Sequence, residues 1–123
     1  MCATAIGCMA SACGEGWVSV VLKDKGNALS VVGNAGNNQL IGTAFADTLD
    51  GGLGSDTLVG GNGDDTYVLN TTADRITEAS TGGSDTVVSS VTYALTAATV
   101  AGVENLTLTG TGTVNATGNA LAN

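Results

Sequence analysis

Asp47, Asp56 and Asp65 stand nine residues apart, and each follows a glycine (Gly42, Gly51, Gly60) by five residues. Carboxylates repeated at a short fixed interval among glycines form an oxygen-only donor set. Such a set suits a hard cation of the calcium type, which takes about six to eight oxygens from carboxylates and backbone carbonyls. Asn38 holds the same place one period earlier, and Asp64, beside Asp65, either adds a further ligand oxygen or faces water. Borderline and soft metals need other donors. The sequence has no histidine, and Cys2, Cys8 and Cys13 stand apart from the acids in spacings other than C-x-x-C, which gives a zinc site little support.

These acids belong to a repeat. Gly51-Gly52-Leu53-Gly54-Ser55-Asp56-Thr57-Leu58-Val59 is followed directly by Gly60-Gly61-Asn62-Gly63-Asp64-Asp65-Thr66-Tyr67-Val68. Both read G-G-x-G-x-D-x-U-x, with U a large apolar residue, a pattern that marks a calcium-binding parallel β-helix. Weaker units start at Gly33 and Gly42. Position one is then Gly33, Gly42, Gly51 and Gly60; position six is Asn38, Asp47, Asp56 and Asp65; position eight is Leu40, Leu49, Leu58 and Tyr67. Asn34 and Thr43 replace glycine at position two, and Phe45 replaces it at position four.

Six residues of each unit make a turn and three make a short strand. Glycine supplies positive φ at low cost and lets backbone oxygens approach an ion. Side chains alternate faces along a strand, so position eight points inward and its neighbours outward. Two nonapeptides make one coil, so turns eighteen residues apart stack, Asp47 over Asp65 and Asn38 over Asp56. Stacked strands lie about 4.8 Å apart, which lets one ion touch a carboxylate from each turn. Without it, two carboxylates about 5 Å apart repel by about 3 kcal/mol at an effective dielectric near 20. No lysine or arginine falls between Gly26 and Ala73, whereas Asp47, Asp50, Asp56, Asp64 and Asp65 all do. Asp50, at position nine, reads as surface charge.

On these residues the chain resembles the repeats-in-toxin family of haemolysin-type calcium-binding repeats. The resemblance implies an all-β, right-handed parallel β-roll with calcium between adjacent turns. It implies as ligands the carboxylates of Asp47, Asp56 and Asp65 and the carbonyls of Gly51, Gly52, Gly54, Gly60, Gly61 and Gly63, with Asn38 a neutral, weaker ligand. It also implies secretion from a Gram-negative bacterium by one-step export, without a cleaved signal peptide. The expected function is a calcium-stabilised structural repeat module, not an enzyme. Two alternatives stand beside it: the non-catalytic accessory domain of a secreted protease or lipase, and an adhesive or ice-binding solenoid presenting threonines such as Thr48 and Thr66 outward.

Composition bounds the rest. At 123 residues the chain is one domain or less, and its net charge of −8, with only Lys23, Lys25 and Arg75 basic, disfavours a nucleic-acid partner. Lack of histidine excludes a Ser-His-Asp triad within it. Nineteen glycines, no proline and few aromatics under-supply a conventional core but suffice for a solenoid, which needs one apolar residue per strand. No apolar run is long enough to span a membrane. Residues 1–25, with the three cysteines and Trp17, are an unassigned leader; 26–68 form the roll; 69–117 are a β-rich continuation. In the continuation Asp74 and Ile76 keep the ninefold register; Asp74 is read first as an exposed loop acid, with stacking over Asp56 and a shared ion as the alternative. Asp85 is read as a poor ligand because its turn looks shortened. Strands are expected over Thr86 to Tyr93 and Val103 to Gly110, with a short helix or loop from Ala94 to Gly102. Gly118-Asn119-Ala120-Leu121 repeats Gly26-Asn27-Ala28-Leu29, so 118–123 read as the start of a further repeat, with an uncapped end prone to associate with other repeats or with itself.

Overall fold

A computed structural model describes residues 18–21, 27–78, 81–95 and 102–119. The cysteines, Trp17 and residues 96–101 of the helix or loop expected from Ala94 to Gly102 lie outside the described residues.

The inward position of each repeat sets the architecture. Leu40, Leu49, Leu58 and Tyr67 are fully buried, and Val31, Ile76 and Val87 extend the same column. The flanking strand residues are half-buried, as in β4 (Thr48–Asp50) and β5 (Thr57–Val59). One apolar side chain per rung, each contributing about 1.5–3 kcal/mol when fully buried, makes a core one residue thick. Burial therefore has to accumulate along the axis, through stacking.

Successive strands alternate between two parallel sheets. One holds β1 (Val18–Val21), β3 (Asn38–Ile41), β5 and β7 (Arg75–Thr77). The other runs β10 (Val103–Leu108), β8 (Asp85–Ser89), β6 (Thr66–Leu69), β4 and β2 (Ser30–Val32). The register is the one the nines require: Leu40 faces Leu58, Leu58 faces Ile76, and Leu49 faces Tyr67. The chain is thus an all-β parallel solenoid, and among the described residues there is no helix, hence none able to cross a membrane.

The winding continues past residue 68. Tyr67 pairs with Val87, twenty residues on, because the turn after β7 carries two extra residues. Three sequence expectations are corrected here. Asp74 is buried rather than an exposed loop acid, because β7 and its turn stack on the coil below. The Asp85 turn is lengthened, not shortened, and Asp85 is fully buried in the position-six place. The strand expected over Thr86 to Tyr93 divides: β8 ends at Ser89, and β9 (Tyr93–Ala94) pairs instead with β11 (Ala116–Thr117) in a separate two-stranded sheet.

Candidate metal centre

Position six forms a ladder. One carboxylate oxygen of each acid accepts the backbone N–H of the position-six residue one coil below. On one edge Asp47 Oδ1 accepts from Leu29 at 2.8 Å, Asp65 Oδ1 from Asp47 at 2.7 Å, and Asp85 Oδ1 from Asp65 at 2.8 Å. Glu104 Oε2 continues it, accepting from Asp85 at 2.8 Å. On the other edge Asp56 Oδ1 accepts from Asn38 at 2.8 Å and Asp74 Oδ1 from Asp56 at 3.1 Å. The turns are thereby stacked as the spacing predicts, Asp47 with Asp65 and Asn38 with Asp56.

The second oxygen separates the turns into two kinds. In the degenerate units it is consumed locally. Thr43 donates both its N–H (2.6 Å) and its hydroxyl (2.8 Å) to Asp47 Oδ2. Asn34 donates its N–H to Asn38 Oδ1 at 2.7 Å and accepts from Asn38 Nδ2 at 2.9 Å. Thr71 N–H reaches Asp74 Oδ2 at 3.3 Å. In the two full repeats, and at Asp85, no such donor is present: Oδ2 of Asp56, Asp65 and Asp85 is buried without a hydrogen-bond partner.

Backbone shape explains the difference. Thr43 and Asn34, at position two, build side-chain turns: Thr43 Oγ1 accepts from Phe45 N–H at 3.1 Å and Asn34 Oδ1 from Gly36 N–H at 2.8 Å. No non-glycine residue there takes positive φ. In the full repeats Gly61 and Gly63 lie at φ 113° and 104°, and Gly52 and Gly54 at 83° and 121°, leaving the turn without a side chain to answer its own aspartate. Gly52 N–H goes instead to Asp50 Oδ1 at 3.0 Å. The expected positive φ is found at positions two and four of the full repeats; position one is different. Gly60 has ordinary φ, and its missing Cβ makes room for Asp65 Oδ2 and the Tyr67 hydroxyl.

The expected carbonyl donors lie among the stacked turns. Gly51 O is directed at Gly33, Gly60 O at Gly42, Gly61 O at Gly82 and Gly63 O at Gly83, each on a neighbouring coil. Gly52 lies over the Asn34 carbonyl. Gly54 O accepts the Thr71 hydroxyl at 3.1 Å. Asp64 turns to the next coil, where its Oδ1 accepts from Ser84 N–H at 2.9 Å.

Glu78 is the residue sequence reasoning missed. It is buried, its Oε2 accepts the Tyr67 hydroxyl, and one oxygen of each of Asp65, Glu78 and Asp85 lies within 4.8 Å of the others. A signal was present: counting nines from Gly60 reaches 69 and then 78, so Glu78 stands in the glycine column. Tyr67, read as core alone, also reaches this cluster from the core.

Burial pushes the Asp56 carboxyl up to about 6, against the lowering effect of the Asn38 N–H, with Asp74 and Asp50 adding to the rise. Burial likewise pushes Asp65 to about 7 and Asp85 to about 6, with nearby carboxylates contributing. Among the described residues the single basic side chain is the exposed Arg75. Buried carboxylates normally have hydrogen bonds or a counter-charge; these have one oxygen each that lacks both. That donor chemistry, hard, anionic and water-poor, fits a calcium ion.

Comparison with curated proteins and with solved structures gives no match. A family model does match, over residues 32–67 and in four copies. It covers the units whose turns and strands have just been described. That model describes the RTX calcium-binding nonapeptide repeat, to which residues 32–67 of this chain are similar.

Proposed function

We infer that the solenoid is a structural module whose folding is coupled to calcium, with Asp56 and Asp65 as principal ligands, backbone carbonyls of the stacked glycine turns completing the shell, and Asp47 and Asn38 in supporting places. The observation that carries this reading is the pair of buried, unpartnered Oδ2 atoms at Asp56 and Asp65, both at position six of full repeats. The ligands converge only when the coils are wound, so ion binding contributes its free energy to folding. Such a module stays loose where calcium is scarce and folds where it is abundant. That property suits a segment of a secreted bacterial protein, including one that accompanies a catalytic domain.

The adhesive or ice-binding alternative has one point in its favour. Ser30, Thr48, Thr66 and Thr86 align in register on one sheet. The adjacent outward column, however, is Val32, Asp50, Val68 and Val88, which places a charge amid apolar residues and gives no regular second row of hydroxyls. The calcium reading is therefore preferred. Its test is the far-ultraviolet circular dichroism of the whole chain in millimolar calcium and in excess chelator. β-structure is expected to be greater with calcium than in chelator; equal β content in both would defeat the proposal.

A further inference from the structure

Glu78 occupies a place where the repeat has glycine, and a carboxylate there is buried to 7% exposure. It lies in a cluster with Asp65 and Asp85, their oxygens within 4.8 Å of one another. An acidic cluster alone proves nothing, since acids also gather where solvent or hydrogen bonds satisfy them. Here a second observation points to a ligand. Asp65 and Asp85 are 1% and 0% exposed, and Oδ2 of each has no partner. Glu78 Oε1 and the Gly61 carbonyl both crowd the space in front of Gly82, where even a Cβ would collide. Tyr67 donates its hydroxyl to Glu78 Oε2, which fixes that carboxylate from the core side. Asp64 and Glu104, the other acids beside Asp85, are held by backbone N–H groups of Ser84 and Asp85.

We propose that Asp65, Glu78 and Asp85 hold a cation of the calcium class at the junction where the nonapeptide array passes into its continuation, with the Gly61 carbonyl as a neutral donor and the Tyr67 phenol orienting Glu78. The site rests on the calcium reading of the repeats but reaches beyond them, since Glu78 and Asp85 fall outside residues 32–67. Three carboxylates give it more negative charge than a turn served by one open aspartate, and ligand charge is a main determinant of calcium affinity. It therefore fills first, and it pins the twenty-residue coil between Asp65 and Asp85 onto the eighteen-residue coils below.

Calcium calorimetry on the whole chain and on Glu78→Gln tests this. Gln preserves the volume and can still accept from Tyr67. The tightest class of sites is expected to disappear or to weaken by at least about tenfold, the low end of what losing even an outer partner of a metal ligand costs. The remaining sites should keep their affinity. Unchanged stoichiometry and affinity in Glu78→Gln would overturn the site while leaving the repeat's calcium binding intact; absence of calcium binding in the wild-type chain would remove both. A second arm does not depend on that variant folding. Terbium is added to the wild-type chain and to Tyr67→Phe, with excitation in the tyrosine band. Emission from the first equivalent should fall several-fold in Tyr67→Phe while calcium stoichiometry stays the same. Equal emission from both chains would place the first ion elsewhere and sink the proposal.

Discussion

The turns at Asp47 and Asp65 lie on the same edge of the solenoid, in successive coils, yet their carboxylates are served differently. Asp47 is answered from within its own turn by Thr43, through both backbone and hydroxyl. Asp65 keeps a buried oxygen with no partner. The same contrast separates Asn38 from Asp56 on the other edge. Closed turns, with a polar side chain at position two, hold their shape by themselves. Open turns, with glycine there, leave a buried carboxylate oxygen without a hydrogen-bond partner, and in the calcium reading proposed above a cation answers it.

The largest effect expected from breaking this arrangement is at Gly60. A methyl group there meets Asp65 Oδ2 and the Tyr67 hydroxyl, so Gly60→Ala should lose at least about 1–3 kcal/mol, the usual cost of overpacking a close-packed site. Gly112→Ala, which meets nothing within 4 Å, should leave the melting temperature unchanged; equal losses in the two would refute the crowding at the open turn.

A sharper probe uses the sign of the effect. Asp56→Asn removes a buried charge that has an unpartnered oxygen, so in chelator it should be neutral or stabilising, whereas in calcium it should destabilise. Asp47→Asn removes an acceptor already in use and should cost about 1 kcal/mol under both conditions. Denaturant titrations of the two variants with and without calcium measure this directly. Like-signed responses at the two positions would erase the distinction between turns.

Acidity tests the same contrast. The carboxyls of Asp56, Asp65 and Asp85 are raised from 3.8 to about 6, 7 and 6 by burial. In the ion-free chain the folded form then holds more protons than the unfolded form between about pH 4 and 7, so its stability falls as pH rises through that window. Lowering the pH from 8 to 5 in chelator should increase β content. With calcium present the direction reverses, because protons compete for the ligands, and affinity should decline below about pH 7. A chelated chain that loses structure on mild acidification would contradict the assigned burial.

The smallest effect belongs to the closed turn. Thr43→Val deletes the hydroxyl that donates to Asp47 and accepts from Phe45, at a cost of about 0.5–1.5 kcal/mol that should be the same in calcium and in chelator. A cost that differs between the two conditions would show that the Asp47 turn also senses the ion.

Much of this was legible in the chain. The ninefold columns gave the strands, the inward position of Leu40, Leu49, Leu58 and Tyr67, and the stacking of Asp47 with Asp65, because a short period in which each unit makes one turn and one strand leaves little freedom in how coils superpose. The continuation was harder to read. Two extra residues before Asp85 shift its column, and a count in strict nines passes it by; Asp74 looks like a loop acid once its glycines are gone. Glu78 was visible as a member of the glycine column but carries no local mark of burial.

The sequence by itself therefore determined the repeat length, the fold class and the candidate ligands, since glycine, aspartate and an apolar residue at fixed offsets encode turn, donor and core within nine residues. Which aspartates are satisfied and which are left open was decided only in three dimensions. That outcome depends on whether a position-two side chain reaches its own turn, and on a glutamate and a tyrosine hydroxyl that meet only after the next coil has closed over them.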